Sequence, residues 1–233
     1  MTSLDSSNKQ ETNVTILDNV MDRIRLTGQS DQTGDIKTVY CRGELVHVLP
    51  YVYEPAEDTY LLLEAAWEEV RPTDTVLEVG TGCGVIAKML AKRARYVMAT
   101  DINPFAVTNA RLNGVDTIKA DLFGDLDRKF DLVIFNPPYL PADEKMPTDW
   151  YVKAWDGGPS GKEVILDFVS QVCAYLTKRG KAQIVLSSLT GCRSIIEKMR
   201  LEFEIVKAVA EYKCFFEKLY VIAGQEPRAA ALE

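Results

Sequence analysis

The residues with the clearest chemical potential form the segment Asn136-Pro137-Pro138-Tyr139, which directly follows the apolar run DLVIF. Two successive prolines end a strand and stiffen the backbone after it, and Pro137 keeps Asn136 out of the helical region. The Asn136 side-chain carbonyl and the Pro137 backbone carbonyl can accept both N–H protons of a flat NH₂ group, while Tyr139 stacks on it. The segment therefore predicts a site that activates an amide or aromatic amine nitrogen, with a merely rigid loop as the competing interpretation.

A glycine-rich turn, EVGTGCG (78–84), follows an earlier apolar run, TVLEV. Glycines here permit a sharp turn and let a ligand lie against bare backbone, so Gly80, Gly82 and Gly84 are predicted binding residues. A dinucleotide-binding turn would carry another glycine in place of Val85, and the acid at Glu78 would repel a pyrophosphate. A ligand that carries sulfonium and ammonium groups suits this turn better.

Two more acids, Asp101 and Asp121, follow the next two predicted strands. A carboxylate at the end of the second strand can accept from both ribose hydroxyls, and one after the third can accept from an adenine amino group. Together with Glu78 these acids predict S-adenosylmethionine as cofactor. Each acid has a helix N-cap as competing interpretation, although Asn103 is the better cap after Asp101. The predicted cofactor pocket also includes the residues that follow the two acids, Ile102 and Leu122.

The elements that must position these residues alternate regularly between strand and helix. This alternation predicts an α/β fold with a seven-stranded, mostly parallel, Rossmann-like sheet and helices on both faces. No helix separates the last two strands, which predicts one antiparallel strand. The predicted elements are helix 57–70, strand 75–79, helix 84–92, strand 96–101, helix 104–113, strands 115–119 and 130–135, helix 162–177, strand 182–187, helix 192–201 and strands 203–210 and 218–223, with a hairpin connection at 211–214.

The predicted organisation is a short N-terminal extension, residues 1–50, followed by a catalytic domain, residues 51–225. The polar composition at the beginning of the extension predicts disorder, and the pattern after it predicts a short helix and a β-hairpin. These predicted parts are the disordered residues 1–13, the helix 14–26 and the hairpin strands 36–40 and 44–49.

Composition narrows the partners and the compartment. The net charge is −7, whereas duplex binding usually requires a basic surface, so nucleic acid is an unexpected partner. The five cysteines are scattered and the single histidine, His47, lies outside every motif, so no metal site and no disulfide frame are expected. No apolar run approaches the roughly 20 residues that cross a bilayer, and the N-terminus lacks a signal-peptide pattern, so we expect a cytoplasmic protein without membrane contact.

Taken together, residues 50–223 resemble the HemK/PrmC family of glutamine N5-methyltransferases that act on class I translation release factors, and most closely its archaeal and eukaryotic branch. The resemblance rests on YEPAEDTYLLL (53–63), LEVGTGCGV (77–85), TDINPFAV (100–107), FNPPYLP (135–141) and AWDGGPSGKEVILDF (154–168). It implies that Thr59 contacts the methionyl end of the cofactor and that the AWDGG run shapes a substrate pocket. The implied target is the glutamine of the Gly-Gly-Gln tripeptide, and S-adenosylhomocysteine is the implied product.

One departure from the family pattern bears on partners. Bacterial members carry a larger N-terminal helical domain, whereas only about 50 residues precede YEP in this chain. The archaeal and eukaryotic branch shares this feature and works with a small activator subunit that often binds zinc, so the resemblance implies such a partner. Two alternatives stay open at this point: an N6-adenine or guanine-N2 nucleic-acid methyltransferase, and a non-catalytic S-adenosylmethionine-binding module.

Overall fold

The computed structural model describes residues 36–140, Trp150 and residues 157–228. The predicted disordered residues 1–13 and the predicted helix 14–26 lie outside the described residues. The strands are β1 (Lys37–Cys41), β2 (Glu44–Val48), β3 (Thr75–Val79), β4 (Tyr96–Asp101), β5 (Asp116–Lys119), β6 (Phe130–Phe135), β7 (Leu176–Ser187), β8 (Phe203–Lys213) and β9 (Lys218–Pro227). The α-helices are α1 (Glu57–Glu69), α2 (Val85–Leu90), α3 (Pro104–Leu112), α4 (Glu163–Gln171) and α5 (Cys192–Glu202).

Seven of the strands form one sheet in the order β5-β4-β3-β6-β7-β9-β8. The first five in this order are parallel, and β9 runs antiparallel to both of its neighbours. The predicted mostly parallel sheet with one antiparallel strand is thereby confirmed. The register places Val79 at the end of β3 beside Thr100 of β4 and Phe135 of β6, so the carboxyl ends of these strands lie level at one edge.

Two apolar layers cover the sheet, as its alternating side chains require. Within β3, Val76 belongs to one layer and Leu77 to the other. The first layer contains buried side chains of α1, α2 and α3, and the second contains those of α4 and α5. Helices therefore lie on both faces, as predicted, and none of the helices in the described part of the chain is long and apolar enough to span a bilayer.

The predicted hairpin is confirmed as β1 and β2, and it packs on the first layer through buried residues such as Val46. Two asparagine side chains of the α3 region fix its backbone. The Asn109 Nδ2 donates to the His47 carbonyl at 2.8 Å, and Asn113 Nδ2 donates to the same carbonyl at 2.7 Å. Asn113 also donates to the carbonyl of Cys83 at 2.8 Å, so one side chain joins the hairpin to the glycine-rich turn.

The predicted helix 162–177 was too long. The α-helix ends at Gln171, a 3₁₀ turn follows at Val172–Tyr175, and β7 begins at Leu176 instead of residue 182. Leu176 pairs with Phe130 of β6, and the following residues form an irregularity in the ladder. Gly180 closes this irregularity, because a β carbon there would lie 2.8 Å from the Phe130 carbonyl oxygen. The predicted helix ended at residue 177, so this glycine fell in the predicted connection before the strand 182–187.

The predicted connection at 211–214 was also misplaced. Strand β8 continues to Lys213, with Glu211 paired to Tyr220 and Lys213 paired to Lys218. The chain turns at residues 214–217, where the Cys214 amide donates to the Glu217 carbonyl at 2.9 Å. Alternating polar residues on an edge strand look like loop residues in the sequence, because only one face of that strand is covered.

Candidate functional site

A cavity of about 400 Å³ opens at the carboxyl edge of the sheet, and we call it the large cavity. It lies where an open α/β sheet ordinarily receives its ligand, between the ends of the central strands and the loops that follow them. Most of the sequence-predicted binding residues line it. They are Thr59, Glu78, Gly80, Gly82, Asp101, Ile102, Asp121, Leu122, Asn136 and Pro138.

The glycine-rich turn forms one wall of the large cavity. Gly80 has a positive φ of 63°, and a β carbon on it would lie 3.0 Å from the Phe135 ring. Gly84 lies outside the cavity wall, although it was predicted to bind the ligand. A β carbon on Gly84 would lie 3.0 Å from Ala110. Gly84 has a φ of 83° and is the N-cap residue of α2. Gly84 therefore permits close packing of α3, whereas Gly80 and Gly82 line the large cavity.

Glu78 lies one residue before the end of β3 and is buried, with about 4% of its surface exposed. Its Oε2 accepts hydrogen bonds from the Thr81 hydroxyl at 2.6 Å and from the Ala87 amide at 2.9 Å. Burial raises the pKa of Glu78 to about 8, although both hydrogen bonds act in the opposite direction. Among the described residues, no positively charged group contributes to the pKa of this carboxyl group. A cation bound in the cavity would therefore stabilise its ionised form.

Asp101 ends β4 and holds the turn through both carboxylate oxygens. Oδ2 accepts from the Gly82 amide at 2.9 Å, and Oδ1 accepts from the Asn103 amide at 2.8 Å. Burial raises the pKa of Asp101 to about 6. Asn103 caps α3 by accepting from the Phe105 amide at 2.9 Å, as predicted, so the capping role does not belong to Asp101.

Asp121, Leu122 and Ile102 form the outer rim of the large cavity. Asp121 is exposed, and its carbonyl accepts from the Gly124 amide at 2.9 Å within a turn. No α-helix begins at this turn, so helix capping does not explain the acid. Leu122 has a positive φ of 47°, and its carbonyl accepts from the Thr100 hydroxyl at 2.7 Å, which ties the rim to β4.

The described charged side chains that line the large cavity are all acidic. Among the described residues that line it there are three carboxyl groups, of Glu78, Asp101 and Asp121, and no lysine, arginine or histidine. Such a wall does not fit a pyrophosphate, which requires cationic or amide donors. It fits a ligand with an adenosine part and positive charge, because acids accept from ribose and ammonium groups while the wall is otherwise largely apolar.

A second, small cavity of about 20 Å³ adjoins the large one, and Asn136, Tyr53 and Pro138 line both. Pro137 and Tyr139 line only the small cavity. The Asn136 Oδ1 is buried and has no hydrogen-bond partner within the described part of the chain. A buried acceptor without a partner costs free energy, which points to a missing N–H donor from a bound molecule.

The glycine-rich AWDGG run reaches the same place, as far as it is described. The Gly157 amide donates to the Leu140 carbonyl at 2.9 Å, and Gly158 lines the large cavity. A β carbon on Gly157 would lie 2.7 Å from the Pro138 carbonyl oxygen. This run therefore packs directly on the Asn136–Tyr139 segment.

Among the residues of the two cavities that reasoning from the sequence missed are Tyr53, Asp58 and Trp150. None of them directly follows a strand of the sheet. The rule that places binding sites at the carboxyl ends of strands therefore does not predict them. Tyr53 and Asp58 do fall within the YEPAEDTYLLL segment, which was the one available signal.

Comparison with known proteins agrees with this geometry. The family model of the methyltransferase small domain matches residues 56–150. Together with the sheet order, the glycine-rich turn and the acids at the strand ends, it defines a class I methyltransferase.

Individual relatives narrow the family. A putative protein N5-glutamine methyltransferase of Methanocaldococcus jannaschii is 44% identical over 182 residues, covering 74% of this chain and 91% of that protein. Methyltransferase HEMK2 of Homo sapiens is 38% identical over 168 residues, covering 64% of this chain and 78% of that protein. The chain belongs to the HemK/PrmC family of glutamine N5-methyltransferases, in its archaeal and eukaryotic branch.

A solved structure supports the same placement. The Mtq2–Trm112 complex of E. cuniculi, described as responsible for the methylation of the eRF1 translation termination factor, matches with a TM-score of 0.63 and 29% identity. The match covers 76% of this chain and 99% of the matched chain.

Proposed function

We propose that this methyltransferase uses S-adenosylmethionine to methylate the side-chain nitrogen of the glutamine in the Gly-Gly-Gln tripeptide of a class I translation release factor. The observation that carries the proposal is the buried Asn136 Oδ1, which has no hydrogen-bond partner among the described residues and lies between the two cavities. A glutamine carboxamide in the small cavity would supply the missing N–H donor.

The residues of the large cavity suit the cofactor. Asp101 is placed to accept from ribose hydroxyls, Asp121 from an adenine amino group, and Glu78 and Thr59 to hold the methionyl end with its ammonium group. The rim residues Ile102, which is exposed, and Leu122, which is half-buried, would cover the adenine. When bound, S-adenosylmethionine supplies an electrophilic methyl group, and S-adenosylhomocysteine is the product.

The chain's own residues would activate the acceptor. The amide nitrogen is a weak nucleophile because its lone pair is delocalised into the carbonyl group. Asn136 Oδ1 and the Pro137 carbonyl would accept its two N–H bonds and turn the nitrogen toward the large cavity, while Tyr139 and Pro138 confine the plane of the amide. The nitrogen loses its proton only after it has gained the methyl group, so the site requires no strong base. Orientation of this kind accounts for up to about 7–11 kcal/mol in favourable intramolecular reactions.

Two partners follow from the proposal. The substrate is a protein, which agrees with the net charge of −7. A small activator subunit is the second partner, supported by the Trm112 partner in the matched complex. We also propose that this subunit binds zinc, and this part of the proposal rests on family resemblance alone.

A competition assay tests the substrate class. The full chain is incubated with labelled cofactor and a release factor, with and without a candidate activator, beside equal amounts of DNA, tRNA and rRNA. We expect label only in the release factor, and mass spectrometry should place one methyl group on the glutamine of the tripeptide. A release factor whose glutamine is replaced by alanine is the matched control. Label confined to nucleic acid would overturn the proposal in favour of an adenine or guanine methyltransferase, and no label in any substrate would favour a non-catalytic module.

A further inference from the structure

A buried carboxylate stands between the two cavities without a role in the reaction as outlined above. Asp58 lies in the first turn of α1 with 4% of its surface exposed, and it lines the small cavity. Its Oδ1 accepts from the amide of the next residue, Thr59, at 2.6 Å, which is a local contact at the helix start. Helix geometry explains that bond but not the remaining contacts of the carboxylate.

Besides a second local contact, in which the Thr59 hydroxyl donates to Oδ1 at 3.1 Å, the carboxylate contacts two phenols from different parts of the chain. The Tyr53 hydroxyl donates to Asp58 Oδ1 and Oδ2 at 3.1 and 3.0 Å. The Tyr139 hydroxyl lies 3.4 Å from Asp58 Oδ2, although the two residues are 81 positions apart in the chain. Burial, and then the nearby Asp58 carboxylate, raise the pKa of both phenols, so both remain hydrogen-bond donors at neutral pH.

Asp58 and its hydrogen-bond partners connect the small cavity with the large one. Thr59, beside Asp58, lines the large cavity, Tyr139 lines the small one, and Tyr53 lines both. The bond to Tyr139 is longer than the bonds to Tyr53, as is common for active-site contacts that shorten when substrate binds. The Tyr139 ring is partly buried against both apolar layers, and a hydrogen bond at its hydroxyl restricts the side-chain torsions further.

We infer that Asp58 is a positioning residue for methyl transfer: its carboxylate holds the Tyr139 hydroxyl so that the Tyr139 ring covers the acceptor amide above Asn136. The inference rests on the proposed function, because it assigns a purpose to Tyr139 in that reaction. The Tyr53 hydroxyl donates to both oxygens of the same carboxylate and helps to fix its orientation.

Three variants of the full chain test the inference: Asp58→Asn, Tyr139→Phe and the double variant. Asp58→Asn preserves the size of the side chain and an oxygen for the Thr59 amide, so α1 should form normally. We expect each single variant to lower kcat by about 10-fold, since a charge-assisted hydrogen bond is lost, and the double variant to be no slower than either single variant. Affinity for S-adenosylhomocysteine should stay within about twofold of wild type, because the local contact to Thr59 remains.

A control variant, Asp167→Asn, replaces an exposed carboxylate on α4 and should match wild type in every measurement. Wild-type transfer with an equally active Asp58→Asn variant would overturn the inference and leave the proposed function intact. Losses that multiply in the double variant would overturn it as well, because Asp58 would then act independently of Tyr139. A parallel loss of cofactor affinity would assign Asp58 to the start of α1 instead. If the wild-type chain itself methylates no Gly-Gly-Gln substrate, the proposed function is wrong. The inference about Asp58 is then wrong as well, because it rests on that function.

Discussion

Gly157 and Pro138 approach so closely that a β carbon on Gly157 would lie 2.7 Å from the Pro138 carbonyl oxygen. Real β carbons do not approach a backbone oxygen this closely, so only glycine permits the contact. The Gly157 amide donates to the carbonyl of Leu140 at 2.9 Å in addition. The backbone on either side of Tyr139 is therefore fixed from outside the sheet, by a segment distant in sequence.

Gly157→Ala should reduce activity more than it reduces stability. The added methyl group must displace the Pro138 backbone, and overpacking of this kind costs about 1–3 kcal/mol, which corresponds to about 5-fold to 150-fold in transfer rate if it falls on the active geometry. Steady-state kinetics with the release factor and thermal unfolding would measure the two effects separately.

Gly114→Ala is the matched control for that prediction. Gly114 has open space around it but a φ of 86°, and it precedes β5 at the opposite edge of the sheet. We expect this variant to lose about 1 kcal/mol of stability from backbone strain and to keep its activity. Equal activity losses in both glycine variants would contradict a specific role for the contact with Pro138.

Asn136→Ala should separate catalysis from folding. The Asn136 Oδ1 has no partner among the described residues, so its removal breaks no hydrogen bond that stabilises the described fold. We expect an unchanged thermal midpoint but a loss of roughly 10²-fold or more in methyl transfer, comparable to the loss of an oxyanion-type contact. Transfer at the wild-type rate would instead mean that the acceptor binds elsewhere.

The fold could be predicted largely from the sequence, because buried strands and helices alternate with clear periodicity. Two of the errors, at residues 171–182 and 211–214, have a common cause. In both places pairing with a neighbouring strand overrides the local pattern: Leu176 pairs with Phe130, and Glu211 pairs with Tyr220. Local residue preferences contain no information about such distant partners.

The site residues that could be predicted are those at the ends of the sheet strands. Glu78, Asp101 and Asn136 end or follow parallel strands, so strand direction alone places them at one edge. Asp58 and Tyr53 reach the small cavity through the packing of α1 and the segment before it, which no strand register determines. A carboxylate in the first turn of a helix has a sufficient local explanation, and this concealed its contact with Tyr139.

Asp101→Ala should mainly weaken cofactor binding. The proposed ribose contact is a charge-assisted hydrogen bond, whose loss costs about 1–3 kcal/mol, or about 5-fold to 150-fold in the dissociation constant. Calorimetric titration with S-adenosylhomocysteine measures this directly. Asp121→Ala, at the exposed rim, should have a smaller effect because solvent screens that carboxylate. An unchanged affinity for Asp101→Ala would count against the ribose contact.

The raised pKa of Glu78 predicts how stability depends on pH. Burial raises its pKa from 4.5 to about 8, so the folded state binds the proton more tightly than the unfolded state does. The stability this proton contributes is fully present below about pH 4.5 and is lost as the pH rises toward 8, at a rate of up to about 1.4 kcal/mol per pH unit for one group. Asp101, with its pKa raised to about 6, adds a loss of the same sign at lower pH.

Denaturant unfolding of the unliganded protein at pH 6, 7 and 8 measures this dependence, and Glu78→Gln should remove most of it because the amide has no proton to lose. Cofactor affinity should change in the opposite direction. A cation beside Glu78 stabilises the carboxylate, so binding requires the proton to leave and should strengthen as the pH rises from 6 to 8. The Gln variant should bind more weakly than wild type at pH 8 and show a flatter dependence. If wild type and Glu78→Gln lose stability equally over this range, the titrating group is another one, and Glu78 is not the acid that faces the positive charge.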